Sequence, residues 1–188
     1  MTATFRTSQA VSVDPAGPHV ILVGLPGAGK TTVGEGVAKV LGRAFLDLDR
    51  EIERRQGTTI AQIFAERGEY QFRQYEQKLT EELRGVGGMI LSPGGGWVAS
   101  PENVALLRPP GRIIYLRVRP ETALKRMGPE RSTRPMLFRP DPLVELRRLL
   151  DARRKAYESA DQTIDTEFQS VHEVINKVCE LVRRDGGA

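Results

Sequence analysis

The chain has 188 residues and a mass of 20.9 kDa, with 39% hydrophobic and 28% charged residues. This size and mixture predict one globular domain, and no apolar run is long enough to span a membrane. A single cysteine, Cys179, excludes internal disulfides and any thiolate metal site.

The sequence divides into an N-terminal tail and one domain. Residues 1–18 lack the apolar core of a signal peptide, so we expect a flexible tail that ends at Pro18. We expect residues 19–185 to form the domain, and the chain to be a cytoplasmic monomer without a membrane or nucleic-acid partner. A formal charge of +4 and a pI near 9.5 make nucleic acid the alternative. Lys and Arg concentrate between Arg108 and Lys155, which small anionic ligands explain equally well.

Short apolar runs alternate with amphipathic segments along the domain. We predict strands at His19–Val23, Ala44–Leu48, Met89–Ser92, Ile113–Val118 and Gln162–Ile164. We predict helices at Lys30–Leu41, Asp49–Gln56, Thr59–Arg67, Glu69–Arg84, Pro101–Leu107, Pro120–Met127, Pro142–Glu158 and Ser170–Arg184. This alternation predicts an α/β fold, a parallel five-stranded sheet with helices on both faces and ligands at the carboxyl ends of the strands.

The stretch GLPGAGKTT, residues 24–32, follows the first predicted strand and opens the first helix. Its glycines permit positive φ and a close approach of backbone N–H groups to phosphate oxygens, and the helix N-terminus favours negative charge. Lys30 is placed to reach the β- and γ-phosphates, and the Thr31 hydroxyl to bind Mg²⁺. The pattern predicts a nucleotide site and leaves ATP and GTP open. The expected nucleotide-binding residues of this loop are Gly27, Ala28, Gly29, Lys30, Thr31 and Thr32.

Two carboxylates, Asp47 and Asp49, lie at the end of the second predicted strand in FLDLDREIE. Strand alternation puts both on one side of the sheet. One can hold Mg²⁺, and the other can accept the proton of an attacking hydroxyl. The alternative for Asp49 is a helix cap, whereas a charge at Asp47, next to apolar neighbours, needs a partner. We therefore expect the pair to act in phosphoryl transfer.

Two further signals are weaker by themselves. Arg73 in GEYQFRQYEQ can capture a carboxylate or form an ordinary surface ion pair with Glu76. Three consecutive glycines, Gly94 to Gly96, follow the third predicted strand. Because such a run is costly in unfolded-state entropy, close backbone approach to a ligand explains it better than a simple turn.

One connection is too long to be ordinary. Residues 128–142, GPERSTRPMLFRPDP, have little periodicity and several prolines. Long connections of this kind are usually functional. We expect a mobile lid that covers the nucleotide and keeps water from the phosphate.

Taken in order, these motifs resemble the shikimate kinase family. The set comprises the phosphate loop, D-x-D, G-E-x-x-F-R-x-x-E, the triple glycine and a lid containing R-P-M-L, and it extends from about residue 19 to 183. The resemblance implies a P-loop kinase fold and transfer of the γ-phosphoryl group of ATP, with Mg²⁺, to shikimate. Shikimate is a hydroxylated cyclohexene carboxylate, and its 3-phosphate leads to chorismate and the aromatic amino acids.

The resemblance also implies roles for individual residues. Thr31 and Asp47 would hold Mg²⁺, and Asp49 would bind the acceptor hydroxyls and accept the proton. Lys30 and Arg134, the latter in the lid, would stabilise the transferring group and complete the catalytic set. The expected nucleotide contacts outside the loop are Arg126 and Arg134. The expected substrate contacts are Asp49, Phe64, Phe72, Arg73, Gly94, Gly95, Gly96 and Arg153, with Glu76 orienting Arg73.

Several alternatives stay open in the sequence. RRKAY lacks the proline of the family's R-x-P-x-Y, which leaves Arg154 as an alternative to Arg153, although counting back from Tyr157 favours Arg153. The residues after Thr166 predict no particular nucleobase contact, and Trp97 belongs either to the core or to the pocket wall. Gluconate kinase, a nucleoside monophosphate kinase and a regulatory ligand-binding domain are alternative functions. The triple glycine and paired arginines favour a compact carboxylate acceptor.

Overall fold

The computed structural model describes residues 17–128 and 141–185. Within these ranges, five parallel strands form one sheet in the order β2-β3-β1-β4-β5. The strands are β1 (Val20–Val23), β2 (Phe45–Asp47), β3 (Ile90–Ser92), β4 (Arg112–Arg117) and β5 (Gln162–Asp165). The helices are α1 (Lys30–Leu41), α2 (Leu48–Gln56), α3 (Ile60–Leu83), α4 (Pro101–Leu107), α5 (Pro120–Met127), α6 (Pro142–Glu158) and α7 (Val171–Asp185), with a 3₁₀ turn at Trp97–Ala99. The predicted tail and lid lie almost entirely outside the described residues, and so does Arg134.

Helices cover both faces of the sheet, which confirms the predicted fold class. Ile21 and Val23 of β1 belong to one buried core, and the alternating Val20 and Leu22 belong to the other. Helices α2, α3, α4 and α6 complete the first core, and α1, α5 and α7 complete the second. Because β1 is buried on both faces, its sequence is an unbroken apolar run.

Local sequence sets the ends of several helices. Pro101, Pro120 and Pro142 lie in the first turns of α4, α5 and α6, where a missing N–H costs nothing. Ser100 and Asp141 cap α4 and α6 through their side-chain oxygens. The predicted bounds of these helices agree with the observed ones.

Strand β2 is shorter than predicted, because Leu48 already begins α2. Asp47, and not Asp49, caps that helix: its Oδ1 accepts a hydrogen bond from the backbone N of Arg50 at 3.2 Å. The strand-alternation argument for the two aspartates was therefore wrong, since Asp49 lies in the first turn of α2.

The two helices predicted at Thr59–Arg67 and Glu69–Arg84 form a single element, α3. Gly68 has a non-helical conformation inside it (φ 78°, ψ 168°), so the two predicted helices meet at a kink. Thr59 and Gln62 form a reciprocal capping box at its start. Neither α3 nor any other helix within the described ranges combines the length and apolarity needed to cross a membrane.

The strand order brings three loops to one edge of the sheet. β3 lies between β1 and β2, and all of these pairings are parallel. The carboxyl ends of the three strands therefore share an edge, where ligands bind in sheets of this class. The GLPGAGKTT loop follows β1, Asp47 ends β2, and the triple glycine follows β3.

Candidate active site

The GLPGAGKTT loop has the backbone that phosphate binding requires. Gly24, Gly27 and Gly29 all have positive φ, at 149°, 81° and 89°. A Cβ on Gly27 would lie only 2.3 Å from the carbonyl oxygen of Ala123, so no other residue fits this position. The loop leads directly into the N-terminus of α1, where backbone N–H groups and the helix dipole favour an anion.

Lys30 is held against this loop by backbone carbonyls. Its Nζ donates hydrogen bonds to the carbonyl oxygens of Gly24 at 3.0 Å and Leu25 at 3.1 Å. The side chain is buried at the first residue of α1. An ammonium group in this position can turn from the carbonyls to phosphate oxygens without crossing the cleft.

Thr31 and Asp47 meet across the loop. The Thr31 hydroxyl donates to Oδ2 of Asp47 at 2.8 Å, so the loop following β1 is joined directly to the end of β2. A hydroxyl oxygen and a carboxylate oxygen side by side are hard ligands, which fit Mg²⁺.

The triple glycine makes room for three side chains that are predicted to bind the acceptor substrate, one at each glycine. A Cβ on Gly94 would lie 2.7 Å from Oδ1 of Asp49, and a Cβ on Gly96 would lie 2.6 Å from Nη2 of Arg73. On Gly95 it would lie 3.1 Å from Nη1 of Arg153. The entropy cost of the glycine run is thereby explained: the backbone forms a surface on which three charged side chains converge.

Arg73 is fixed from two sides. Its Nη1 donates to Oε2 of Glu76 at 2.8 Å, and its Nη2 donates to Oε1 of Glu69 at 2.9 Å. Glu76 is buried, whereas Glu69 is largely exposed. The Arg73–Glu76 contact is thus more than an ordinary surface bridge, and sequence reasoning missed the part played by Glu69.

The surroundings of Glu76 change its acidity. Burial raises the pKa of Glu76 to about 7, although the Arg73 guanidinium acts in the opposite direction and the Asp49 carboxylate adds to the rise. Glu76 is therefore close to the middle of its titration at neutral pH.

We expect the stability advantage of the wild-type protein over a Glu76→Gln variant to shrink as the pH rises from 4.5 to about 7. A carboxyl whose pKa is raised in the folded state binds its proton more tightly there, so its stabilising contribution is complete at low pH and is lost as the pH rises through the folded pKa. The loss in the free energy of unfolding is on the order of 2–3 kcal/mol. Urea unfolding of both proteins across this pH range measures it, and a difference that stays constant or grows with pH would contradict the interpretation.

The structure distinguishes the two candidates, Arg153 and Arg154, for the arginine predicted to bind the substrate together with Arg73. Arg153 is buried and lines the same cleft as Arg73, and its Nη1 has no hydrogen-bond acceptor within the described residues. Arg154 is half exposed and pairs with Asp151 at 2.7 Å, away from the cleft lining. A buried guanidinium nitrogen that lacks an acceptor is ready to receive an anion.

The predicted aromatic walls lie beside these charges. Phe64 and Phe72 both line the cleft, with ring centroids 5.1 Å apart, and the guanidinium carbon of Arg73 lies 5.2 Å from the centroid of the Phe72 ring. Trp97 is fully buried, and its Nε1 donates to the hydroxyl of Thr80 at 3.0 Å. Trp97 therefore belongs to the core and not to the pocket wall.

Arg126 lies at the opposite end of the cleft, against the loop after β5. Its Nη1 donates to the Thr166 hydroxyl at 3.0 Å and its Nη2 to the Thr166 carbonyl oxygen at 2.6 Å. Sequence reasoning gave no contacts beyond Thr166, because the loop carries no recognisable motif. The residues that line this end of the cleft are Gln169, Ser170, Val171 and Val174.

The predicted site residues that the structure describes line one continuous cleft with a volume of about 1120 Å³. The phosphate loop lies between the Arg126 end and the Asp49–Arg73–Arg153 end. Of the predicted site residues, the cleft brings together every one that the structure describes, while Arg134 lies outside the described residues. A cleft of this size can hold two ligands, one on each side of the loop.

Comparisons with known proteins agree with this arrangement. The family model described as shikimate kinase matches residues 26–183. The chain is 39% identical to the shikimate kinase of Geobacter sulfurreducens over 95% of this chain and 98% of the relative, and 47% identical to that of Thiobacillus denitrificans over 81% and 84%. It is also similar to the structure of shikimate kinase from Acinetobacter baumannii in complex with shikimate, with a TM-score of 0.86 and 37% identity over 93% of this chain and 97% of that one. A gluconokinase from Sinorhizobium meliloti, with a TM-score of 0.58 and 18% identity, shares the fold alone.

Proposed function

The chain belongs to the shikimate kinase family, and on that basis we propose how its own residues transfer the γ-phosphoryl group of ATP to the 3-hydroxyl of shikimate. The observation that carries the proposal is the convergence of Asp49, Arg73 and Arg153 on the triple glycine, within the same cleft as the phosphate loop. The two arginines suit the carboxylate of a substrate, and the Asp49 carboxylate suits its hydroxyl groups. Together they match a hydroxylated ring acid.

Shikimate binds at the triple-glycine end of the cleft. Arg73 and Arg153 hold its carboxylate, since guanidinium groups donate to carboxylates in a fixed planar geometry. Glu76 keeps the Arg73 guanidinium in place through the 2.8 Å hydrogen bond. Asp49 accepts hydrogen bonds from the ring hydroxyls, and Phe64 and Phe72 exclude water from the ring.

ATP binds across the phosphate loop, with its base towards the Arg126 end. Lys30 moves from the carbonyls of Gly24 and Leu25 to the phosphates. Thr31 and Asp47 hold Mg²⁺, an assignment supported by their adjacent oxygen atoms. When bound, Mg²⁺ supplies positive charge against the phosphate oxygens.

Transfer proceeds in line from ATP to the acceptor hydroxyl. Asp49 is the group placed to accept the hydroxyl proton. Lys30 stabilises charge on the transferring phosphoryl group, and Arg134, which lies outside the described residues, adds a second cation from the lid. Most of the rate enhancement then comes from positioning and electrostatics.

The whole chain works as one unit in this proposal. We propose a single domain at 19–185 that acts as a monomer in the cytoplasm, with residues 128–142 as a lid. Use of ATP, and a single cysteine that forms no internal disulfide, support the location.

The identity of the product tests this function. After incubation with ATP, Mg²⁺ and shikimate, phosphorus NMR and mass spectrometry are expected to show one phosphate, attached to the 3-hydroxyl. Phosphate on a different hydroxyl, or only inorganic phosphate, would overturn the proposed acceptor geometry.

Gly96→Ala is expected to raise KM for shikimate about tenfold or more while leaving the melting temperature almost unchanged. Gly96 has φ −92°, which alanine adopts without strain, so the backbone tolerates the change. The added Cβ instead meets the Arg73 guanidinium at 2.6 Å and displaces it. Steady-state kinetics with shikimate as the varied substrate, together with thermal unfolding, measure both effects.

Gly85→Ala is the matched control. Gly85 is exposed, and an added Cβ there would meet nothing closer than 4.0 Å. The control variant is expected to keep the wild-type KM. If Gly96→Ala also keeps it, the triple glycine does not serve as the surface that places Arg73.

A further inference from the structure

Tyr157 makes a hydrogen bond that links α6 to the triple glycine. Its hydroxyl donates to the carbonyl oxygen of Gly95 at 2.8 Å, across 62 positions of sequence. The side chain is fully buried, one helical turn after Arg153. Burial raises the pKa of the Tyr157 hydroxyl, so that it remains a neutral donor throughout the physiological range.

The ring of Tyr157 is held independently of this hydrogen bond. It stacks on the ring of Tyr115 from β4, with centroids 5.0 Å apart and an interplanar angle of 8°. The ring is therefore immobilised by packing, and the hydroxyl faces both the Gly95 carbonyl and the Arg153 guanidinium. Tyr115 offers a matched comparison, because its hydroxyl makes no hydrogen bond within the described residues.

Gly95 lies where the two substrate sites meet. A Cβ at this position would be 3.1 Å from Nη1 of Arg153 and 3.4 Å from both the Gly24 carbonyl oxygen and the Tyr157 hydroxyl. The same Gly24 oxygen accepts the hydrogen bond from Lys30. A small displacement of Gly95 would therefore alter the position of Arg153 on one side and of the phosphate loop on the other.

We propose that Tyr157 is a positioning residue, whose hydroxyl fixes the Gly95 carbonyl and thereby sets the distance between the phosphate loop and the arginine that binds the acceptor carboxylate. Tyr157 touches neither substrate in this assignment; it acts through Gly95 and through the neighbouring Arg153 guanidinium. The inference deepens the proposed function and rests on it. Without the hydroxyl, the partly buried Gly95 carbonyl loses its donor, and the glycine loop shifts towards another partner.

The test compares Tyr157→Phe with Tyr115→Phe. Each change removes one phenol hydroxyl and retains the stacked rings, so both proteins are expected to fold. A hydrogen bond of typical strength, about 1 kcal/mol, holds the Gly95 carbonyl in place before shikimate binds. If shikimate has to restore that position in the variant, its binding weakens by about fivefold. We expect Tyr157→Phe to raise the shikimate dissociation constant by about fivefold and to lower kcat, and Tyr115→Phe to change neither by more than about twofold.

The outcomes separate positioning from mere packing. Binding is measured by calorimetry and turnover by ADP release, at a temperature well below the lower of the two melting temperatures. If Tyr157→Phe lowers only the melting temperature, or if the two variants behave alike, the positioning role is overturned. Failure of the proposed function has a different signature, because the wild-type enzyme itself would then show no shikimate-dependent ADP release.

Discussion

Lys30→Ala is expected to lower kcat by a factor on the order of 10³ or more, leaving turnover below detection in a routine assay. Lys30 is the one described basic residue that emerges directly from the phosphate loop, and no neighbouring described side chain can replace it there. In the proposed mechanism its ammonium group stabilises charge that develops on the transferring phosphoryl group, and such preorganised charge contributes most where water is excluded. ADP release at saturating ATP and shikimate measures the loss.

Lys39→Ala provides the control for this variant. Lys39 lies in the last turn of the same helix and is exposed, so its removal alters net charge and helix composition without touching the loop. We expect the control to keep wild-type turnover. A normal kcat in Lys30→Ala, with the protein folded, would remove the basis for the phosphate-loop assignment.

Arg73→Ala is expected to raise KM for shikimate by roughly 10- to 100-fold and to change KM for ATP little. A hydrogen bond to a charged group contributes about 1.5–3 kcal/mol, and 1.4 kcal/mol corresponds to a factor of ten. Arg73 lies beside Gly96 and Phe72, where we propose that the acceptor binds, so its loss is expected to remove binding of one substrate only. Initial rates with each substrate varied in turn separate the two constants.

Arg154→Ala is the matched control, because this arginine pairs with Asp151 outside the cleft lining. It is expected to leave both constants unchanged. Thermal unfolding accompanies the kinetics, since removing Arg73 also takes the ion-pair partner from the buried Glu76. Equal rises in both Michaelis constants for Arg73→Ala would show that Arg73 supports the fold and not the acceptor.

Much of the fold follows from local signals in the sequence. Proline in the first turn and Ser or Asp before it define the starts of α4 and α6, and these signals need no tertiary information. The unbroken apolar run of β1 indicates a strand buried on both faces. This apolar run, together with the amphipathic segment after the loop, predicts that the GLPGAGKTT loop connects a strand to a helix.

The aspartates show where local reasoning fails. The sequence FLDLD suits a strand that continues through Leu48, and the pattern alone cannot tell which aspartate ends it. The choice is made by a tertiary contact, since Asp47 accepts a hydrogen bond from Thr31 in the phosphate loop and also caps α2. Both carboxylates were assigned to the site, although the geometric reason given for Asp49 was wrong.

Contacts between residues far apart in the sequence could not be predicted either. A glycine run predicts close approach of something, but not that each glycine accommodates a different charged side chain. The hydrogen bond from Tyr157 to Gly95 joins residues 62 positions apart and has no sequence signature. The lining of the Arg126 end, including Ser170 and Val171, comes from a loop without a motif.

Acceptor-dependent ADP release tests the central assignment most directly. The enzyme is supplied with ATP and Mg²⁺ and, in separate reactions, with shikimate, gluconate, AMP, CMP or no acceptor. Release that depends on shikimate alone is the predicted result. Release with gluconate or with a nucleotide in place of shikimate, or the same rate without any acceptor, would contradict the assignment of Asp49, Arg73 and Arg153 to a shikimate site.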